Sequence, residues 1–216
     1  MNVAKGSELT KRLYDRQAAS YDRWVASMEQ FLGKGRRVFS VLRGDVLEVG
    51  VGTGLNLTSY DPKLAKVVAV DLSPNMVALA RRRVAKLRLS HVVSVEEVDV
   101  QRLSRHFPPG SFDHVTATCV FCSVPDPVAG YREIAKVLKP GGTLVELEHG
   151  VGRVPPLNWL LRLVDPLAAR TFGFHVARDH DANLRRAGFR VLHRRELDAT
   201  GVFRVLVSRP AVASTE

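Results

Sequence analysis

The segment Val46–Asp71 constrains the fold more than any other part of the chain. It begins with the run VLEVGVGTG and ends, after a short gap, in VVAVD. The apolar residues of the first run suit a buried parallel strand, and its glycines let the following turn approach a ligand closely. Asp71 then ends a second strand at the sheet edge where open α/β folds hold ligands, and its carboxylate can accept hydrogen bonds from ribose hydroxyls. The segment therefore predicts strand, glycine turn, helix and strand around a nucleoside-bearing cofactor.

The glycine loop distinguishes between cofactors. A dinucleotide-binding loop reads G-x-G-x-x-G, whereas the third glycine here comes one residue early, giving Gly50, Gly52 and Gly54. Glu48 precedes the loop, and a buried negative charge at this point would repel a pyrophosphate while suiting a cationic amino-acid group. Both features oppose a nicotinamide-dependent dehydrogenase.

Three further motifs follow in order along the chain. They are Val98–Gln101 after a third predicted strand, Gly110–Asp113 before a fourth that ends near Cys119, and Leu138–Leu144 leading into a fifth. With the glycine loop, this series resembles the class I S-adenosylmethionine (SAM) methyltransferases over Tyr14–Val207. The resemblance implies a Rossmann-like, doubly wound α/β fold whose seven-stranded sheet is mostly parallel, with an antiparallel terminal strand.

The resemblance also implies which residues contact the cofactor, which is SAM before transfer and S-adenosylhomocysteine after it. Asp99 and Val100 are expected at the adenine, Asp71 at the ribose, and the glycine loop at the methionine part. The full set of expected cofactor-binding residues is Tyr21, Glu48, Gly50, Gly52, Gly54, Asp71, Leu72, Asp99, Val100 and Cys119.

The predicted layout is one catalytic domain with two additions. Residues 1–42 form a helical lid segment, and residues 43–216 form the SAM-binding domain, with a substrate-side insertion at about 151–180. Ser73-Pro74 predicts a helix start. Phe189–Leu197 and Val202–Val207 predict two strands around a turn.

The first addition contains Tyr14–Asp22, which is similar to the N-terminal lid of quinone and phospholipid methyltransferases. In those families the second tyrosine helps to enclose the cofactor, so the resemblance gives that role to Tyr21. A lid would exclude water from the reacting groups. The alternative is an amphipathic helix that only packs on the sheet.

The second addition contains Val154–Leu167, in which Leu157, Leu160, Leu161, Val164 and Leu167 recur at helical spacing beside Trp159. Such a helix suits either the roof of an apolar substrate pocket or a membrane surface. Beneath it, the predicted fifth strand ends in Glu148 and His149. These two residues are the candidate catalytic groups, because either can accept a proton from an amine, hydroxyl or thiol. The alternatives are a strand-end hydrogen-bonding role for His149 and a solvated edge charge for Glu148.

The two cysteines, Cys119 and Cys122, exclude a disulfide framework. Their C-x-x-C spacing suits a redox or metal site, but no second pair of ligands is nearby, so small apolar residues at the mouth of the pocket are the preferred interpretation. The sequence therefore predicts no bound metal ion.

Charge and hydropathy bear on partners and location. The chain has a net charge of +10, without a run of apolar residues long enough to span a membrane and without a signal-peptide core at Met1–Thr10. We therefore expect a cytoplasmic protein that associates with the inner membrane surface if its basic face meets anionic lipid. Nucleic acid is a weak alternative, because no aromatic platform is interleaved with the basic groups.

The sequence as a whole predicts a SAM-dependent methyltransferase acting on a small, apolar or lipid-like nucleophile. Phospholipid amine N-methylation is the favoured reaction. Thiol S-methylation and quinone C-methylation are alternatives, and a non-catalytic SAM-binding protein is the alternative from another class. The sequence leaves the acceptor atom, the number of methyl transfers and the oligomeric state open.

Overall fold

The computed structural model describes residues 3–211, in which helices cover both faces of one sheet. The strands are β1 (Gly44–Val49), β2 (Ala65–Asp71), β3 (Val93–Glu97), β4 (Phe112–Thr118), β5 (Leu138–His149), β6 (Phe189–Glu196) and β7 (Phe203–Pro210). The helices are α1 (Val3–Gln17), α2 (Tyr21–Val25), α3 (Glu29–Gly35), α4 (Pro74–Lys86), α5 (Pro127–Val137), α6 (Pro155–Phe172) and α7 (His180–Arg186). Short 3-10 segments occupy Ala18–Ser20, Arg36–Val41, Leu55–Ser59 and Val100–Arg105.

The sheet has seven strands in the order β3-β2-β1-β4-β5-β7-β6. The first five strands pair in parallel, whereas β7 is antiparallel to both β5 and β6. The predicted fold class is therefore confirmed. Because the chain moves outward in one direction from β1 and in the other from β4, the carboxyl ends of these two strands border a crevice at the sheet edge.

The hydrophobic core has two layers because neighbouring strand residues point to opposite faces. Val46 joins the cluster that packs against α3 and α4, and Leu47 joins the cluster that packs against α5 and α7. Both side chains are fully buried. In the second layer, the stacked rings of Phe121 and Tyr131 lie with their centroids 3.8 Å apart.

The helix predicted after the glycine turn is much shorter than expected, because it consists only of the 3-10 segment Leu55–Ser59. Asparagine, threonine and serine within it have low helix propensity. Asp61 precedes a proline and so favours an extended conformation, which ends the segment. The connection after β3 is likewise a 3-10 segment, Val100–Arg105, with a kink at Arg102.

The other predicted elements lie close to their expected positions. Helix α4 begins at Pro74, and the side chain of Ser73 caps it by accepting a hydrogen bond from the backbone N–H of Met76 at 3.2 Å. The two C-terminal strands form the expected hairpin, and α6 occupies the inserted segment. Within residues 3–211, no helix combines the length and the apolar character needed to cross a bilayer.

Candidate active site

The candidate site is a cavity of about 700 Å³ at the carboxyl ends of the parallel strands. Its walls come from α1, the glycine turn after β1, the end of β2, the start of the segment after β3, and the loop after β4. The lining residues include Thr10, Lys11, Tyr14, Tyr21, Gly50, Gly52, Asp71, Leu72, Asp99, Val100, Gln101, Cys119, Val120 and Ser123. The cavity therefore lies at the sheet edge where the sequence predicts cofactor binding.

The glycine turn brings bare backbone to the wall of this cavity. Gly50 has a φ of +63°, and a Cβ atom on it would stand 2.5 Å from Val120. Gly52 has a φ of +56°, and the nearest atom to a Cβ there is Tyr21 Cε1, at 3.9 Å. Glycine is needed at the first position to avoid a clash and at both for the left-handed backbone. The space in front of Gly52 leaves room for a ligand.

Asp71, at the end of β2, is hydrogen-bonded to the glycine turn. Its carboxylate accepts hydrogen bonds from the backbone N–H of Gly52 at 2.8 Å and of Ser73 at 2.9 Å. Burial raises the pKa of Asp71 to about 6, against the opposing effect of these hydrogen bonds. The carboxylate thus lines the cavity and also orders the loop beside it.

Asp99 and Val100 lie at the end of the cavity next to α1. The Asp99 carboxylate accepts hydrogen bonds from the backbone N–H of Gln101 and from the hydroxyl of Ser7, each at 2.9 Å. Gln101 Nε2 also donates to Ser7 Oγ at 2.8 Å. Helix α1 therefore contacts the predicted adenine-binding residues directly.

A second cavity, of about 420 Å³, lies on the other side of the glycine turn. Its walls include Arg36, Asn56 and Thr53. The residues that line both cavities are Tyr21, Gly50, Gly52, Thr118 and Cys119. The two cavities therefore meet at the glycine turn, beneath Tyr21.

Glu48 forms the buried floor below the second cavity and lines neither cavity itself. One carboxylate oxygen accepts a hydrogen bond from Asn56 Nδ2 at 2.8 Å, whereas the other is a buried oxygen without a hydrogen bond among the described residues. Burial raises the pKa of Glu48 to about 7. Asn56 in turn accepts a hydrogen bond from Arg36 Nε at 2.5 Å, so a cation and a carboxylate share one amide.

Tyr21 begins α2 at the junction of the two cavities. Its ring lies 6.3 Å from the ring of Tyr14 and 6.1 Å from that of Trp24, measured between centroids. Tyr14 is hydrogen-bonded through its hydroxyl to the hydroxyl of Ser123 in the loop after β4. The N-terminal helices therefore cover the site with aromatic side chains.

Cys119 lies directly after β4 and has a left-handed backbone, with φ +53°. Burial raises the pKa of its thiol and of the Cys122 thiol, and the Glu148 carboxylate raises both further. Within the described chain, no group of three or more histidine, cysteine or acidic side chains is placed to hold a metal ion.

The two candidate catalytic residues lie beyond the cavities, at the end of β5. Glu148 is fully buried, and its carboxylate accepts hydrogen bonds from the backbone N–H groups of Val120 and Phe121, each at 2.9 Å. Burial raises its pKa to about 7. His149 is 8% exposed, with its ring perpendicular to that of Phe174 at 5.7 Å. Burial lowers the pKa of His149 to about 4, so its imidazole is neutral near pH 7.

The structure places eight of the ten predicted cofactor residues on the cavity walls. They are Tyr21, Gly50, Gly52, Asp71, Leu72, Asp99, Val100 and Cys119. Glu48, near the end of β1, and Gly54, within the glycine turn itself, line neither cavity. His149 and Glu148 also lie outside both cavities.

Sequence reasoning missed Arg36, which stands in the basic run Lys34–Arg37. Arg36 is only 7% exposed, pairs with Glu29 and lines the second cavity. The available signal was the spacing of Arg36, seven residues after Glu29 on a helical segment, which places both on one face. Thr10 and Lys11 were missed as well, and no motif marks them.

Comparisons with known proteins agree with the geometry. Residues 47–145 match the family model described as a methyltransferase domain. A phosphatidylethanolamine N-methyltransferase of Cereibacter sphaeroides is 37% identical over 135 residues, covering 61% of this chain and 63% of the relative's own length. A thiol S-methyltransferase of Homo sapiens is 30% identical over 191 residues, covering 87% of this chain and 75% of the relative.

Solved structures show the same fold. A SAM-dependent methyltransferase from Aquifex aeolicus superposes with a TM-score of 0.64 at 22% sequence identity, covering 90% of this chain and 97% of that structure. Together with the methyltransferase family match and the 30% identity to the human relative, this fold places the chain among the class I SAM-dependent methyltransferases, to which it belongs.

Proposed function

We propose that this enzyme holds SAM in the two joined cavities and transfers its methyl group to a lipid-like nucleophile, with a phospholipid amine as the favoured acceptor. The observation that carries the cofactor assignment is the junction of the cavities at the glycine turn. A carboxylate stands on each side of that turn, Asp71 beside the larger cavity and Glu48 below the smaller one.

The shape and polarity of the cavities support this placement. The larger cavity offers Asp71 to ribose hydroxyls, with Asp99 and Val100 at its far end for the adenine. The smaller cavity offers the amide of Asn56 and the guanidinium of Arg36, and the buried charge of Glu48 lies behind them. This pairing of a cation with a carboxylate suits the zwitterionic amino-acid part of SAM.

SAM supplies a methyl group that is already activated on a sulfonium. The protein therefore needs mainly to align the acceptor and to exclude water. Tyr21 is suited to both tasks, because its ring covers the junction of the cavities. Burial raises the pKa of Tyr21, so its hydroxyl stays protonated and can donate a hydrogen bond.

The electrostatics of the site favour an amine over a thiolate as acceptor. Glu48 and Glu148 are fully buried near the cavities, where a neighbouring cation favours the ionised form of each carboxyl group and a neighbouring anion opposes it. The protein's own thiols lie in such surroundings, because burial first and the Glu148 carboxylate second raise the pKa values of both Cys119 and Cys122. An acceptor thiol placed beside them would resist ionisation for the same reason.

The two candidate catalytic residues have different proposed roles. Glu148 holds the loop that lines the larger cavity through its bonds to Val120 and Phe121, so it acts as a positioning residue. His149 is the remaining candidate for contact with the acceptor, since it adds no positive charge that would repel an amine. Its low pKa makes it better suited to accepting a hydrogen bond from the acceptor than to storing a proton.

The experiment is an acceptor assay with purified enzyme and SAM labelled on the methyl group. The acceptors are phosphatidylethanolamine in vesicles, a small alkyl thiol and a prenylated quinol, with products identified by mass spectrometry. Methylated phosphatidylethanolamine is the expected product. A methyl thioether alone would instead support S-methylation, the activity named for the human relative.

Two controls separate catalysis from binding. His149→Ala is expected to reduce turnover of the acceptor at unchanged affinity for S-adenosylhomocysteine, whereas His91→Ala, at the opposite edge of the sheet, is expected to change neither. Unchanged turnover in His149→Ala would remove this residue from the mechanism. Saturable cofactor binding without any methylated product would favour a non-catalytic SAM-binding protein.

A further inference from the structure

The outer side of α6 is the largest concentration of exposed apolar side chains on the described chain. Of the twelve large apolar side chains that are exposed, seven lie between Val154 and Phe172. They are Val154, Trp159, Leu160, Leu163, Val164, Leu167 and Phe172. We refer to these seven side chains as the α6 face. Trp24, another of the twelve, stacks on Phe172 with 6.2 Å between ring centroids and extends this surface onto α2.

The α6 face has the geometry of one side of a helix. At 100° per residue, Trp159, Leu160, Leu163, Val164 and Leu167 fall within an arc of about 140°. Trp159 and Leu167 are each 68% exposed. The opposite side of the helix is fixed to the protein, since Asp165 bonds to His175 Nδ1 at 2.7 Å and to the backbone N–H of Ala177 at 2.8 Å. The apolar arc therefore cannot turn inward without breaking these contacts.

The exposed charges on α6 itself are positive. Arg162 and Arg170 are the exposed charged residues of α6, and Asp165, its one acidic residue, is bonded on the inner side. Gln17 Nε2 donates to the carbonyl of Phe172 at 3.4 Å, which brings the end of α1 alongside. Exposed Arg16 and Arg23 neighbour Gln17 and Trp24 in the sequence. An apolar strip flanked by arginines complements a bilayer that contains anionic lipid.

We propose that the α6 face, with Trp24, docks this enzyme on the surface of an anionic membrane. A second copy of the chain fits less well, because a symmetric contact would place arginines opposite arginines without exposed carboxylates on α6 to pair with them. Docking would also serve the site. The ring of Trp24 lies 6.1 Å from that of Tyr21, which lines both cavities, so the lipid surface would lie beside the cover of the active site.

The test is co-sedimentation with vesicles of phosphatidylcholine alone and with vesicles that also contain phosphatidylglycerol. The apolar variant is Leu163→Glu with Leu167→Glu. Its matched control is Val41→Glu, because Val41 is also 68% exposed but lies outside α6. We expect at least about a tenfold loss of partitioning to the phosphatidylglycerol vesicles in the double variant, since a charge replaces apolar contact in the interface, and little change in the control.

A second pair of variants tests the charge component. Arg162→Glu with Arg170→Glu is expected to weaken binding to the phosphatidylglycerol vesicles more than binding to phosphatidylcholine, and added salt should reduce the difference. Arg82→Glu with Lys86→Glu, at two exposed sites on α4, changes the net charge by the same amount and is the control. If the α6 variant and the α4 control lost vesicle binding equally, the loss would reflect only a general effect of charge, and docking through α6 would be overturned.

Docking is independent of which acceptor is methylated, so titration with S-adenosylhomocysteine confirms separately that each variant keeps its fold and cofactor site. Two further results would overturn the proposal. One is wild-type protein that stays in the supernatant with both kinds of vesicle. The other is a wild-type dimer in sedimentation velocity that Leu163→Glu with Leu167→Glu dissociates, while vesicle binding stays unchanged. That result would show that a second copy of the chain, and not a membrane, covers the α6 face.

Discussion

Asp71 has two tasks at the residue scale, because its carboxylate orders the glycine turn and is proposed to bind the ribose. In Asp71→Asn one oxygen remains, so one of the two backbone N–H groups faces an amide nitrogen that cannot accept its hydrogen bond. Hydrogen bonds to charged groups contribute about 1.5–3 kcal/mol, so we expect the Kd for S-adenosylhomocysteine to rise by roughly 10- to 100-fold. Calorimetric titration measures this change.

The control for Asp71 is Asp61→Asn. Asp61 also accepts a hydrogen bond from a backbone N–H, that of Lys63 at 2.9 Å, but it lies in a loop outside both cavities. Its Kd should match that of the wild type. Equal affinity in the two variants would contradict the placement of the ribose at Asp71.

Glu148 allows a separation of positioning from proton transfer. Glu148→Ala leaves the backbone N–H groups of Val120 and Phe121 buried without their acceptor, which costs about 1–3 kcal/mol per group. Glu148→Gln keeps a carbonyl oxygen for both. We therefore expect urea unfolding to show a large loss of stability in the alanine variant and a small one in the glutamine variant.

Turnover distinguishes the two roles of Glu148 further. If this residue only positions the loop, Glu148→Gln keeps most of the wild-type kcat. A kcat that falls by orders of magnitude in the glutamine variant, with stability and cofactor affinity retained, would restore Glu148 as a proton-transferring group.

The residues of the cofactor site were predictable to the extent that local sequence determines their position. Gly50, Gly52 and Asp71 could be placed because a glycine turn after β1 and an acid at the end of β2 must share one sheet edge. Arg36 could not, because its burial depends on how Arg36–Val41 packs against Asn56, twenty residues later. The Glu48 oxygen that is buried without a hydrogen bond among the described residues likewise results from packing and cannot be predicted from the sequence.

At the scale of elements, α1 is attached to the cavity by polar contacts. Asp15 accepts hydrogen bonds from the hydroxyl of Ser73 and from the backbone N–H of Asn75, and Ser7 donates to Asp99. Because these contacts are polar and no described side chain of α1 belongs to the buried hydrophobic core, we expect α1 to open locally more often than the sheet. Bound S-adenosylhomocysteine should slow amide hydrogen exchange throughout α1.

Asp15→Ala tests this attachment. Loss of its contacts should speed exchange in α1 and raise the Kd for S-adenosylhomocysteine by about tenfold, if roughly 1–2 kcal/mol of coupling is removed. The matched control is Glu8→Ala, on the same helix, whose partner Arg12 forms an exposed ion pair that contributes little to stability. Exchange in α1 that does not respond to ligand would argue against a moving lid.

The sequence predicted the order of the elements better than their extent. Ser73-Pro74 predicted the start of α4 because a cap and a proline act locally. The helix expected after the glycine turn is reduced to Leu55–Ser59, since weak helix formers and a proline follow one another there. The sequence identified the apolar pattern of α6 but not which side faces solvent, because that depends on the bond between Asp165 and His175.

At the scale of the whole molecule, the buried carboxyl groups and the buried histidines have opposite effects on how stability depends on pH. Burial raises the pKa values of Glu48, Glu148 and Asp71, so below neutral pH the folded chain binds more protons at these groups than the unfolded chain. Burial lowers the pKa values of His149 and His180, so the folded chain binds fewer protons there. The opposing slopes flatten the dependence of wild-type stability on pH.

Single substitutions should therefore expose slopes of opposite sign in the free energy of unfolding. Glu48 favours the folded state most below pH 4.5 and loses this contribution as pH rises to about 7, so Glu48→Gln should gain about 2–3 kcal/mol relative to wild type across that window. His149 destabilises the folded state most below pH 4, where it must be protonated while buried, and this effect disappears above pH 6.5. The free energy of unfolding of His149→Gln should therefore exceed that of the wild type at low pH, and the difference should vanish as pH rises. Urea titrations from about pH 4.5 to 7.5 measure both changes. If stability changed with pH in the same way in both variants, the proposal that Glu48 and His149 contribute slopes of opposite sign would be contradicted.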